Sequence, residues 1–304
     1  MFDLRPVAYV IGWLVAALGG TMLVPLGVDL YLGNSPWVFL ESAVITVFIG
    51  GIVALACANG VSQRLSIQQT FLLTTGVWVA LPIFGALPFV LGATQSTYTD
   101  AFFEAMSGLT TTGSTVLSNL DTLPEGLLLW RGILQWLGGI GIIVVAMVFL
   151  PELRVGGMQV FRTEGFDTMG KILPRATQIS SSISSIYLGL TLSCILAYML
   201  TGMGTFDAIV HALTTVSTGG FANYDASFGA FAGPAEYVAV VFMILAALPF
   251  VRYVQMLAGD HWAMARDAQM RAFLVCIAVL VGVTAVTLWR TLDQGAEPAL
   301  RAAL

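Results

Sequence analysis

Two short strips hold the residue types that can take a cation out of water. The first is Thr110-Thr111-Thr112-Gly113 and the second is Ser217-Thr218-Gly219-Gly220. Backbone carbonyls, arranged at the right spacing, can replace the oxygens of an ion's water shell. Glycine lets the chain adopt dihedrals that turn those carbonyls inward, as Gly113 and Gly220 can. Threonine and serine hydroxyls add small donors and acceptors that hold such a strip in place.

The strips sit in a longer repeat. Asp100-Ala101-Phe102-Phe103-Glu104-Ala105-Met106-Ser107-Gly108-Leu109 runs into the first, and Asp207-Ala208-Ile209-Val210-His211-Ala212-Leu213-Thr214-Thr215-Val216 runs into the second. Laid together without a gap, Asp100 meets Asp207, Ala105 meets Ala212, Thr111 meets Thr218 and Gly113 meets Gly220. Segments 99–109 and 206–216 are predicted as short helices entering from outside, with their C-termini pointing inward. The partial negative charge of a helix C-terminus favours a cation there. Irregular backbone at membrane depth is tolerated only where it lines a cavity or is buried in protein. The repeat therefore reads as two re-entrant pore loops of a cation pathway.

The rest of the chain supplies the membrane spans. Of 304 residues, 58% are hydrophobic and 10% are charged, against about a quarter charged in a soluble domain. Apolar runs at about 7–30, 37–58, 68–93, 126–150, 180–202, 236–258 and 269–290 each approach the length that spans a bilayer. The expected fold is all-α and polytopic, with about seven transmembrane helices. The run after Arg5 continues to about Leu30, which favours a retained first span over a cleaved leader.

Charge orients these spans. With the N-terminus in the cytoplasm, the inner segments hold Arg5, Arg64, Arg154, Arg162, Lys171, Arg175, Arg266 and Arg271. Outer segments 31–36, 94–125 and 203–235 hold no Lys or Arg, but do hold Asp100, Glu104, Asp121, Glu125, Asp207 and Asp225. That satisfies the positive-inside rule and places an acidic mouth outside, where it would concentrate cations. The expected divisions are a two-span hairpin (1–60), a span–pore–span repeat (61–158), a cytosolic linker (159–179), a second repeat (180–262) and the first span of an incomplete third (263–304).

Small residues also make close helix contacts, but two copies in the same phase favour a filter. Gly138-Gly139-Ile140-Gly141 lies within a span with no strand before it, so it reads as helix packing rather than a dinucleotide turn. Arg131 reads as snorkelling or structurally paired ahead of repelling cations, and Glu41 as interfacial. His211, which aligns with Glu104, reads as a polar contact behind the filter ahead of a proton relay. An intramembrane enzyme would need a Ser–His or paired-Asp arrangement within spans, which the sequence does not offer. Cys57, Cys194 and Cys276 lie in apolar runs and read as free thiols; no cofactor is expected.

Ala101–Ser114, Trp130-Arg131-Gly132-Ile133-Leu134-Gln135-Trp136-Leu137-Gly138-Gly139 and His211–Phe221 together resemble the Trk/Ktr/HKT potassium-uptake family, in its bacterial TrkH branch. The resemblance implies four span–pore helix–span repeats around one pore, in the bacterial inner membrane. It implies potassium uptake by a homodimer in the lipid bilayer, controlled by a cytosolic TrkA-like nucleotide-binding ring, with no nucleic acid involved. Carried over, the filter comprises Thr110, Thr111, Thr112, Gly113, Ser217, Thr218, Gly219 and Gly220, with potassium at Thr111, Thr112, Thr218 and Gly219. A serine replaces the first filter glycine in sodium-permeable plant relatives, so Gly113 argues for potassium. Four strips are expected in this family and two are present. Residues 269–290 and Glu297–Leu304 resemble the approach to a third filter, so a truncated or fragmentary form is expected. A non-conducting fragment, a structural subunit, a sodium-permeable cation transporter, and two chains jointly supplying four strips all stay open.

Overall fold

The computed structural model describes residues 3–60, 65–94, 96–148, 176–291 and 295–304, and all the regular structure among them is helical. In chain order the helices are α1 (Arg5–Thr21), α2 (Leu23–Leu32), α3 (Trp37–Cys57), α4 (Ile67–Gly85), α5 (Leu87–Leu91), α6 (Tyr98–Leu109) and α7 (Glu125–Val148). They continue as α8 (Ala176–Leu200), α9 (Thr205–Val216), α10 (Pro234–Ala247), α11 (Phe250–Leu257), α12 (Ala263–Arg266), α13 (Ala268–Thr291) and α14 (Ala296–Ala303). Short 3₁₀ turns punctuate the connections. The chain is a polytopic all-α membrane protein. Among the described residues, Arg5–Leu32, Trp37–Cys57, Ile67–Leu91, Ser181–Leu200 and Ala268–Thr291 are long and apolar enough to cross a membrane, and α10 with α11 forms one bent candidate. The expected span 126–150 is α7 as far as Val148. The linker expected over 159–179 falls outside the described residues except where α8 takes up its end, as do Arg64, Arg154, Arg162, Lys171 and Arg175.

The chain divides into two compact units: Met1–Leu153 with Ile209–Ala230, and Arg154–Ala208 with Phe231–Leu304. In the first unit, small residues let α1 and α3 touch backbone to backbone. A Cβ added to Gly12 would lie 2.6 Å from the Ala54 nitrogen, and one on Gly50 would lie 2.6 Å from the Ala16 nitrogen. Between apolar spans, such close approach supplies the packing that hydrophobic burial cannot. Gly51 faces open space. Gly50→Val is expected to lower the unfolding midpoint in detergent, at a cost of about 1–3 kcal/mol from overpacking, and Gly51→Val to leave it in place. Equal midpoints for the two variants would contradict this packing. Asp29, buried near the end of α2, accepts from the Gly126 N–H at 2.9 Å, and Asn34 donates to Glu125 at 2.7 Å. These bonds tie the first span to the start of α7.

In the second unit, the expected span 236–258 is not one helix: α10 and α11 meet at 83°. Pro249 has no N–H to donate and drives the preceding residue out of the helical region; Leu248 is extended at ψ 149°. Hydropathy is continuous across this break, so the apolar run conceals it. The Tyr253 hydroxyl donates to the Leu245 carbonyl at 2.7 Å across the corner. Arg252 then pairs with Asp267 at 2.7 Å, just before α13. Burial raises the Asp267 pKa, but hydrogen bonds from Arg252 and from the N–H groups of Gln269 and Met270 outweigh it and hold the carboxyl below its usual range. The resulting stabilisation is present above the ordinary carboxylate pKa and is lost as pH falls through the lowered value. The difference in melting midpoint between wild type and Asp267→Asn should stay constant down to about pH 5 and shrink below about pH 4. A difference independent of pH would contradict this. Helix α14, where the run towards a third pore helix was expected, docks on the start of α10: Arg301 pairs with Glu236 at 3.2 Å, and Tyr237 donates to Glu297 at 2.9 Å.

Candidate functional site

Both strips leave their helices by the same backbone path. Helix α6 opens at Thr97, whose hydroxyl oxygen accepts from the Asp100 N–H at 3.3 Å. An acid in the first turn, Asp100 in α6 and Asp207 in α9, complements the positive end of each helix dipole. At the other end the Thr111 N–H bonds to the Gly108 carbonyl at 2.9 Å, and the Thr112 N–H to the Ser107 carbonyl at 2.9 Å. In α9 the equivalent bonds are Thr218 to Thr215 at 2.9 Å and Gly219 to Thr214 at 2.8 Å. This paired pattern is a Schellman ending, which needs a left-handed residue at its turn. Thr111 and Thr218 both occupy that position with φ 54°, and Gly113 and Gly220 both follow with φ 79°. A β-branched residue held there costs about 1–2 kcal/mol. The two threonines are held by the same geometry in both copies, so the alignment read from sequence extends to backbone dihedrals.

The strip residues fall into two groups by exposure. Thr110, Thr111 and Gly113 are half-buried and Thr112 is exposed; Ser217 and Gly219 are buried, while Thr218 and Gly220 are exposed. Among the described residues, no donor meets the carbonyls of Thr111, Thr112, Gly113, Thr218, Gly219 or Gly220. A buried carbonyl ordinarily has a partner, which makes the buried Gly219 the unusual one; all six oxygens are available to an ion or its water. The strip hydroxyls bond within the strip or back to its helix: Thr110 to the Met106 carbonyl at 2.8 Å, Thr110 with Thr112 at 2.8 Å, and Thr218 to the Ser217 carbonyl at 2.7 Å. Ser107, on α6, reaches across to the Ser114 carbonyl at 2.6 Å and fixes the far end of the first strip.

The strips lie against each other and against α7. A Cβ on Gly113 would fall on the Gly219 carbonyl oxygen. A Cβ on Gly219 would lie 2.6 Å from Gln135 Nε2. Gly138 packs directly on the end of α6, where a Cβ would collide with the Leu109 carbonyl. Helix packing is therefore the role of Gly138, as its position within a span suggested. Trp130, on the same helix, donates to the Gly85 carbonyl at 2.9 Å.

Behind the strips lies an ion pair. Arg131, 1% exposed, donates through Nε to Glu104 at 2.8 Å and through Nη1 to the Ala222 carbonyl at 2.6 Å. Its guanidinium carbon stands 4.2 Å from the centre of the Phe221 ring. Glu104 is fully buried, and it also accepts from the Thr115 hydroxyl at 2.9 Å and the Val116 N–H at 3.1 Å. Of the two readings left for Arg131, structural pairing holds and snorkelling does not. Glu104 leaves the acidic mouth to which its outer segment had assigned it, whereas Asp121 and Asp225 are exposed. Those two join the loops after the strips: the Leu120 N–H donates to Asp225 at 3.1 Å. His211, at the position equivalent to Glu104, is buried edge-on against Phe228 with ring centres 5.7 Å apart.

Sequence reasoning gave no role to Gln135, Ser107 or Phe221. Gln135 is fully buried and accepts from the Phe221 N–H at 3.1 Å. The available signal was its spacing: Arg131 and Gln135 are polar residues one turn apart in an otherwise apolar span, so they share a face.

The chain is similar to known proteins over most of its length. The family model described as "TrkH: Cation transport protein" matches residues 36–294. The Trk system potassium uptake protein TrkI of Halomonas elongata is 43% identical over 285 residues, covering 93% of this chain and 57% of that protein. The Trk system potassium uptake protein TrkH of Escherichia coli K12 is 36% identical over 294 residues, 94% of this chain and 60% of that protein. The crystal structure of the potassium transporter TrkH from Vibrio parahaemolyticus superposes with TM-score 0.88 at 32% identity, over 100% of this chain and 63% of that one. The chain thus spans about three fifths of the length of these relatives. With its two matched loops and a family match over most of its length, this chain belongs to the TrkH family of cation transport proteins.

Proposed function

We propose that this chain forms part of a potassium-uptake protein, contributing two of the strips that line its selectivity filter. The observation that carries the reading is the pair of strips with matching dihedrals, whose carbonyls from Thr111 to Gly113 and from Thr218 to Gly220 meet no donor among the described residues. Potassium would sit at Thr111, Thr112, Thr218 and Gly219, with Thr110, Gly113, Ser217 and Gly220 shaping the strips. Glycine at both centres supports potassium over sodium, because the carbonyl cage is set by backbone rather than by a side-chain hydroxyl. The relatives named for potassium uptake support the same substrate. The helix ends behind each strip would favour the cation, and no cofactor or catalytic step is required.

Two strips enclose an ion only with others to complete the ring, supplied by a second copy or by further segments of the same protein. The repeat division into 61–158 and 180–262 is retained in this reading. The protein would work in a bacterial inner membrane with its N-terminus in the cytosol, as a homodimer with a TrkA-like regulatory ring on its inner face. Cysteine placed at His261 should then be labelled by an impermeant reagent only in opened cells. Labelling in intact cells would reverse the orientation. For transport, expression in bacteria lacking potassium-uptake systems should restore growth at low potassium. Failure despite membrane accumulation would count against a conducting role for these residues alone.

A further inference from the structure

Resting on that reading, we infer that Arg131 and Gln135 form a positioning strut that fixes the second strip against the first and thereby sets potassium-over-sodium discrimination. The two side chains lie one turn apart on α7, which follows the first strip. Both reach the backbone that follows Gly220: Arg131 holds the Ala222 carbonyl at 2.6 Å, and Gln135 holds the Phe221 N–H at 3.1 Å. The first strip is braced from its own helix, where Glu104 takes the Thr115 hydroxyl and the Val116 N–H. In the second copy, histidine stands where Glu104 stood and alanine where Thr115 stood. There, α7 of the first repeat supplies the bracing. Glu104 closes the circuit, because the same carboxylate that braces the first strip anchors Arg131 at 2.8 Å.

Gln135 carries the more specific part. The Phe221 N–H requires an acceptor, so the amide oxygen faces it and Nε2 faces the other way. Nε2 is buried and meets no partner among the described residues. The whole amide lies against both glycines that touch: a Cβ on Gly219 would meet its Cδ, Oε1 and Nε2 alike, and one on Gly113 would lie 3.7 Å from Nε2. A side chain wedged there limits how far the second strip can move when a smaller or larger ion enters. Where discrimination rests on the size of a carbonyl cage, it depends on that restraint.

The test is rubidium uptake with and without competing sodium, in potassium-uptake-deficient bacteria expressing wild type, Gln135→Met, Gln135→Glu or Arg131→Lys. The melting midpoint of each purified protein is compared in KCl and NaCl. Gln135→Met keeps the volume and loses the acceptor; Gln135→Glu keeps the acceptor. The expected result is a loss of discrimination of about tenfold in Gln135→Met, equivalent to about 1.4 kcal/mol, with sodium-free uptake within about twofold of wild type. Gln135→Glu should retain more discrimination than Gln135→Met, and Arg131→Lys, which loses the second arm of the fork, should lose some. If Gln135→Met fails to accumulate, Arg131→Lys and Gln135→Glu decide by the same ratio. Wild-type discrimination in all variants, or uptake and discrimination falling together in proportion, would overturn the strut. A wild type that prefers potassium in neither measurement would overturn the proposed function itself, and the strut with it.

Discussion

Gly113→Ser is expected to lose most of the proposed preference for potassium over sodium, and to lose more than Gly220→Ser. Both glycines sit at φ 79°, where any side chain is strained by about 1–2 kcal/mol. The difference lies in what a Cβ meets. At Gly220 nothing stands within 4 Å, whereas at Gly113 the new atom falls on the carbonyl oxygen of Gly219. That oxygen belongs to the neighbouring strip and is one of the proposed ligands. Relief of the overlap, at a further cost of about 1–3 kcal/mol, must push the two strips apart. Sodium competition against rubidium uptake reads the outcome. Equal losses at the two positions, or a larger loss at Gly220, would mean that the strips do not share a wall at Gly113.

Glu104→Ala should be among the most destabilising single changes in the chain. The carboxylate is fully buried and holds Arg131, the Thr115 hydroxyl and the Val116 N–H together. Removing one member of a buried ion pair strands the other, at about 3–5 kcal/mol. That is a large share of the total stability of a folded domain, about 5–15 kcal/mol. The unfolding midpoint of the purified protein should fall sharply, and Glu104→Gln/Arg131→Met should recover much of the loss because no charge remains stranded. A fall no greater than that of an exposed ion pair, about 1 kcal/mol or less, would show that Arg131 finds compensation elsewhere.

The strips were legible because their signal is periodic. One phase aligns Thr111 with Thr218 and Gly113 with Gly220, and the structure repeats both dihedrals. The membrane class followed from composition, and the spans from apolar runs of bilayer length. What stayed hidden depends on three-dimensional proximity. Glu104 looked like part of an outer acidic mouth because its segment is acidic, but its face of α6 turns toward Arg131. Gln135 looked like one more residue of an apolar span, because only folding brings Phe221 to it. The corner at Leu248 was masked by continuous hydropathy, although Pro249 stood there as the one available warning.

The most direct measurement is rubidium uptake in potassium-uptake-deficient bacteria expressing residues 1–304, beside a Gly113→Ser/Gly220→Ser control that reaches the membrane at the same level. Uptake by the wild type that is lost in the control is the predicted result: the ring is then complete and both strips line the path. Uptake unchanged in the control would contradict the account, because the cations would then pass by a route that these strips do not form.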